Sequence, residues 1–157
     1  MSTVLPIKQK TKLFQIRWNE PLGKEGSPYA YRYVFIFFGY SIRIHKWLCS
    51  DGKVEKSGPH YHNHPWWFCT FVLKGGYNDF YYKEDDEFKT GFDELTKYSF
   101  RFRKANHLHY VVPFKIGCTT LLITGRPNSK WGFWVNNRIL RPLKYFKRFG
   151  DNAPCKL

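Results

Sequence analysis

The chain has 157 residues, of which 43% are hydrophobic and 20% aromatic. This composition excludes a disordered chain, and we expect a single domain over residues 1–157. No apolar run approaches the roughly 20 residues that cross a membrane, and the N-terminal residues lack the apolar core of a secretory signal. We therefore expect a cytoplasmic protein with reduced cysteines. The net charge of +14 favours anionic partners, either small molecules or nucleic acid.

The predicted elements are mostly short strands, rich in the aromatic and β-branched residues that fit a pleated surface. In chain order they span residues 12–18, 29–38, 40–48, 67–73, 76–82, 97–103, 108–112, 119–125 and 131–136. Turn signals such as SDGK, KGG, KIG and GRPNS separate several of them. Short strands at this spacing predict an all-β fold, an antiparallel sandwich or jelly-roll barrel with its core at about residues 11–136.

One helix is predicted, close to the C-terminus. From Arg138 onward, basic residues recur every three or four positions with apolar residues between them. Pro142 suits the first turn of a helix, so we expect a short amphipathic helix at about residues 140–149. Its basic side chains form either a solvated face or a phosphate-binding face.

Five histidines occur at alternate positions in two places. His60, His62 and His64 form the first group, and His107 and His109 form the second. In an extended chain, residues two apart share a face, so imidazoles at this spacing crowd together unless something bridges them. A metal ion is one such bridge, and a wet cavity without metal is the alternative.

The segment HYHNHPWWFCTFVLKGG, followed by KANHLHYV, resembles the two metal-binding motifs of the cupins. The paired histidines of the first motif fall on His62 and His64, and the histidine of the second falls on His109. Lys104 and Asn106 stand where the second motif usually has proline and glycine. Residues 40–149 also resemble, in the order and spacing of their segments, a subgroup of small uncharacterised cupin-like proteins of bacteriophages and bacteria.

This resemblance implies a cupin-type antiparallel jelly-roll barrel with one divalent transition metal on His62, His64 and His109. The glutamate of the first motif would fall on Phe68 or Cys69, so a three-histidine set remains, as in cysteine-dioxygenase-like cupins. Imidazole ligands suit iron, zinc or nickel, and iron is our first choice. Neutral ligands leave the charge of the ion uncompensated, which favours an anionic ligand.

The remaining histidines each allow two interpretations. His60 and His107 could sit at the barrel mouth as catalytic proton donors or acceptors, or could simply be exposed or hydrogen-bonded. The resembling sequences also carry a histidine at His45, which is either a substrate-binding residue or a satisfied core residue.

Aromatic and basic residues supply the other substrate-binding candidates. Trp66, Trp131 and Trp134 could wall a pocket for a planar ligand, or could be core residues. Arg103 and Arg126 could bind a carboxylate or phosphate through the planar guanidinium fork, or could lie on the surface. Cys69 could face the site, although an inert buried thiol is the simpler interpretation.

We expect a metal-dependent, oxygenase-like enzyme acting on a small anionic substrate. A non-catalytic module that captures an anionic metabolite or nucleotide is the first alternative. A nucleic-acid accessory protein with a basic exterior is the second. The aromatic N-terminal strands could also support a homodimer.

Overall fold

A computed structural model of the chain describes residues 13–24, 26–52, 54–55, 58–82, 89–135 and 138–149. Its strands are β1 (Phe14–Lys24), β2 (Ser27–Phe37), β3 (Tyr40–Trp47), β4 (Val54–Glu55), β5 (Gly58–Pro59), β6 (Tyr61–His62), β7 (Phe68–Lys74), β8 (Gly76–Tyr82), β9 (Thr90–Thr96), β10 (Phe100–Arg103), β11 (His109–Pro113), β12 (Cys118–Thr124), β13 (Phe133–Val135) and β14 (Arg138–Leu140). The helix is α1 (Pro142–Phe149).

Two six-stranded antiparallel sheets and a small two-stranded sheet of β4 and β5 make up the described fold. The first has the order β1-β2-β3-β12-β7-β10 and the second has the order β14-β13-β6-β11-β8-β9. Strands distant in the chain are therefore neighbours, as in a jelly roll. In this protein, for example, β12 lies between β3 and β7. The prediction of an all-β antiparallel jelly roll with a short C-terminal helix is confirmed.

Alternation along the strands directs one face of each sheet inward. On β7 the side chains of Phe68, Thr70 and Val72 are buried, whereas those between them are only half-buried. This period of two is the geometry of a strand with one face on a core. Residues that face inward from both sheets therefore meet in the space between them.

The hydrophobic core consists of two clusters. The main cluster contains Ala30, Trp47, Val72, Tyr77, Leu95, Val111 and Cys118. The second cluster contains Phe133, Val135 and Tyr145 and attaches α1 to the second sheet. Tyr145 is fully buried and its ring stacks on Phe133 with 3.8 Å between centroids. The helix is thus fixed at one end of the space between the sheets.

Five of the described strands were not predicted, namely β4, β5, β6, β9 and β14. The β9 strand contains Asp93 and Glu94, residue types that strands disfavour, and it lies at a sheet edge with β8 as its neighbour. The β14 strand lies within the segment whose basic spacing indicated only a helix. The helix itself begins at Pro142, as expected.

The cysteines correct one expectation. Cys69 and Cys118 are free, but Cys49 is disulfide-bonded. The absence of a short cysteine spacing therefore did not imply four reduced thiols, because folding pairs cysteines without regard to their separation in the chain. Cys155 lies outside the described residues. No helix in the described ranges is long and apolar enough to span a membrane.

Candidate metal centre

The second sheet brings three histidines together. His62 on β6 and His109 on β11 are cross-strand partners, and their rings lie 4.9 Å apart between centroids. His64 follows β6, and its Nε2 lies 3.1 Å from Nε2 of His109. One nitrogen from each of the three rings lies within 4.8 Å of the others. The fold therefore gathers the residues that the cupin resemblance selected.

A chain of charged groups orients His109 from behind. Its Nδ1 donates to Oδ1 of Asp79 at 2.6 Å, and Oδ2 of Asp79 accepts from Nη2 of Arg103 at 2.7 Å. Arg103 also donates to Asp93 at 2.6 Å. Burial opposes ionisation of Asp79, but His109 and Arg103 outweigh it and hold the pKa of Asp79 at about 2. The carboxylate thus fixes the Nδ1 proton and turns the Nε2 lone pair toward His64.

A second buried carboxylate lies beside His62. Oδ2 of Asp51 is 3.6 Å from Nε2 of His62, and Oδ1 accepts the backbone N–H of Val111 at 2.7 Å. Burial raises the pKa of Asp51 to about 6. The site therefore has nearby negative charge although the glutamate of the motif is missing.

Two of the three histidines, His62 and His64, are in the form that a metal requires. Burial lowers the pKa of His62 to about 3 and holds that of His64 well below its ordinary value, so both rings are neutral at neutral pH. Neutral imidazole nitrogens are ligands for zinc, iron, copper and nickel. The three residues fit a divalent transition metal.

A second group of potential ligands shares His109. One atom each from Asp79, His107 and His109 also lies within 4.8 Å of the others. In that group, however, the carboxylate of Asp79 already accepts from both His109 and Arg103. His62, His64 and His109 all line the cavity described next, whereas Asp79 and His107 do not, and we take the three histidines as the candidate centre.

A cavity of about 570 Å³ opens in front of the three histidines. This size suits a small organic ligand. Three predicted substrate-binding residues, His45, Trp66 and Trp131, line it, and so does Phe68. Cys69 is not among its lining residues.

His45 on β3 is buried in this cavity wall without a hydrogen bond. Neither ring nitrogen has a partner among the described residues, and the ring packs edge-on to Trp47. Burial lowers the pKa of His45 to about 3, so the ring is neutral. It is thus not the satisfied core residue that the sequence allowed.

The two predicted catalytic histidines lie outside the cavity lining. A hydrogen bond of 2.9 Å joins Nδ1 of His60 to the hydroxyl of Tyr145 on α1. His107 packs against Tyr81 and the far side of His109. Both residues lie outside the strands. Neither lines the cavity, so the expectation of a catalytic position is corrected, and His60 is the hydrogen-bonded histidine that the alternative interpretation allowed.

Three predicted substrate-binding residues also lie away from the cavity. Arg103 is engaged by Asp79 and Asp93 behind His109 and acts as a positioning residue. Arg126 is exposed and its guanidinium lies over the ring of Tyr40. Trp134 points the other way from Phe133 and packs near Tyr82. These placements correct the sequence expectation.

Sequence reasoning missed the arginines that do line the cavity, Arg17, Arg32 and Arg43. Arg43 stands two positions before His45, and strand alternation could have placed both on one face. The second motif also keeps its turn without glycine, because Asn106 adopts a φ of 67°. Asparagine tolerates this left-handed conformation better than most residues.

Comparisons with known proteins show likeness at the level of fold. No protein-family model and no curated protein matches the chain. Hydroxypropylphosphonic acid epoxidase from S. wedmorenis has a TM-score of 0.51, 12% identity, and coverage of 71% of this chain and 59% of its own. An Fe(II)-HppE with the alternative substrate (S)-1-HPP has a TM-score of 0.53 and 12% identity, and the match covers 71% of this chain and 56% of that protein.

The oxalate decarboxylase of Lactobacillus farciminis, in a formate complex, gives a TM-score of 0.52, 10% identity, and coverage of 85% and 35%. The chain thus spans between about a third and three fifths of the length of these neighbours. They are cupin-fold proteins. The fold of this chain is therefore a cupin-type jelly roll.

Proposed function

We propose that the protein is a metal-dependent cupin enzyme acting on a small anionic molecule. His62, His64 and His109 hold one divalent ion, with iron first and zinc or nickel as alternatives. The observation that carries the proposal is the convergence of these three rings, with nitrogens within 4.8 Å of one another, on a single cavity. The Fe(II) of the HppE neighbour supports iron as the first choice.

The residues of the chain have distinct roles in this proposal. A bound ion supplies Lewis-acid or redox chemistry to a molecule in the cavity. Asp79 and Arg103 are positioning residues that hold the His109 ring. Trp131, Phe133 and Phe146 line the cavity and shield its contents from water. The arginines of the first sheet provide the positive charge that attracts an anion.

Elemental analysis of purified protein and its histidine variants tests the metal site. We expect near-stoichiometric metal in the wild type and loss of metal in His62→Ala, His64→Ala and His109→Ala. His107→Ala is the matched control, because His107 belongs to the competing group but not to the proposed ligand set. Retention of metal in His64→Ala together with its loss in His107→Ala would move the centre to the other group.

Two non-enzymatic alternatives predict different measurements. A module that captures an anionic metabolite or nucleotide binds its ligand without turnover. A nucleic-acid accessory protein binds in a manner that weakens steeply with salt and survives loss of the cavity histidines. Oxygen uptake and product formation that depend on iron and on His64 would support the enzyme over both.

A further inference from the structure

The first sheet places an excess of positive charge on one wall of the cavity. Arg17 and Arg32 share a single carboxylate, because Glu20 accepts from Arg17 at 3.1 Å and from Arg32 at 2.6 Å. Arg43 also lines the cavity and has no carboxylate partner within the described part of the chain. The wall therefore carries positive charge that the described residues do not neutralise.

Arg43 is held in a fixed orientation. Its Nε donates to Oγ of Ser41 at 2.8 Å, and its guanidinium carbon lies 4.2 Å from the ring centroid of Trp66. The two terminal nitrogens have no hydrogen-bond partner among the residues described. Burial, and then the neighbouring Arg32 and Arg17, lower the pKa of Arg43 to about 9, so the group stays charged at neutral pH. A guanidinium fixed in this way is ready to bind an oxyanion.

His45 gives an independent indication at the same place. It stands two positions after Arg43 on β3 and lines the same cavity, and both of its buried ring nitrogens lack a partner in the described structure. A buried polar group without a hydrogen bond is costly, and such groups in binding sites are commonly satisfied by ligand. An oxyanion at Arg43 could accept from the neutral ring of His45.

Two apolar side chains of the first sheet also line the cavity near this wall. Leu122 is the cross-strand neighbour of Arg43, and Phe68 packs against the ring of His64. The cavity therefore has a basic wall on the first sheet and the histidine centre on the second, with Leu122 and Phe68 also lining it.

We propose that Arg43 and His45 anchor a carboxylate or phosphonate-type oxyanion of a small organic acid whose other polar end reaches His62, His64 and His109. The observations that support the oxyanion subsite come from the first sheet alone. The contact between the other end of the ligand and the histidines rests on the function proposed above. The substrate class is therefore a short acid with two polar ends and an apolar segment between them.

Calorimetric titration with inorganic phosphate and with malonate tests the subsite in metal-free protein. We expect Arg43→Gln to weaken binding about 10–100-fold, because a hydrogen bond to a charged group is lost. Arg43→Lys keeps the positive charge but not the planar guanidinium, so its affinity for the probes should fall between those of the wild type and Arg43→Gln. Arg126→Gln removes an exposed arginine outside the cavity and should bind like the wild type.

Equal binding by wild type and both Arg43 variants would overturn the subsite, as would failure of the wild type to bind either probe. Metal content measured on the same samples separates the two proposals. If phosphate binding depends on Arg43 in a protein that takes up no metal, the subsite stands and the metal enzyme does not. If the protein binds metal but neither probe, the metal enzyme stands and the subsite does not.

Discussion

Asp79→Asn removes the charge that orients His109 while keeping the size of the side chain. The carboxylate joins Nδ1 of His109 at 2.6 Å to the guanidinium of Arg103 at 2.7 Å, and its side chain is only 3% exposed. An amide cannot offer two negative oxygens, so the variant can orient the His109 ring incorrectly or donate to it. Loss of a carboxylate behind a metal-bound histidine weakens metal binding about 10–100-fold.

The structure also sets the cost to stability. The pKa of Asp79 is held at about 2 instead of its ordinary 3.8, which corresponds to roughly 2–3 kcal/mol in favour of the charged form. Because the folded-state pKa is depressed, this stabilisation is fully present above pH 3.8 and is lost as pH falls toward 2. Metal-free Asp79→Asn should therefore be less stable at neutral pH and lack this part of the acid dependence.

Chelator competition measures the metal affinity, and thermal unfolding of chelator-treated protein measures the stability. Asp93→Asn is the matched control, since it removes the other carboxylate of Arg103 without touching His109. We expect the control to retain wild-type metal affinity. Wild-type metal affinity in Asp79→Asn would refute the orienting role of the carboxylate.

Three further variants test separate parts of the structure. Asp51→Asn should weaken metal binding less than Asp79→Asn, because the carboxylate lies 3.6 Å from His62 and forms no direct hydrogen bond to it; an equal loss in chelator competition would contradict this order. Tyr145→Phe removes the hydroxyl bound to His60 and should lower the free energy of unfolding by about 1–2 kcal/mol with metal content unchanged. A loss of metal in this variant would show that His60 contributes to the metal site. Asn106→Val should destabilise the fold by about 1–2 kcal/mol in a denaturant titration, because its φ is 67°, whereas Asn106→Gly should not; equal effects would show that the turn has no left-handed requirement.

Most strands and the candidate metal ligands were predictable from the sequence. Period-two alternation of aromatic and β-branched residues marks strands such as β7 directly. The spacing of His62, His64 and His109 carries the cupin resemblance, and these three rings are the ones that the fold brings together. The β9 strand was missed because Asp93 and Glu94 give it the composition of a turn.

The residues that surround the histidines could not be predicted from the sequence pattern. Asp51 lies in a segment that reads as a turn, and nothing local indicates that folding buries it beside His62. Asp79 acts only through a histidine thirty residues away, which is a property of the sheet pairing between β8 and β11. Arg103 was predicted to bind substrate, but its carboxylate partners hold it behind His109 and outside the cavity lining.

X-ray absorption spectroscopy of the metal-loaded protein counts the imidazoles bound to the ion. We expect three imidazole ligands, at about 2.0–2.1 Å if the ion is zinc, and the loss of one imidazole in His64→Ala. A first shell of two imidazoles and a carboxylate that His64→Ala leaves unchanged would place the metal on Asp79, His107 and His109 and contradict the proposed centre.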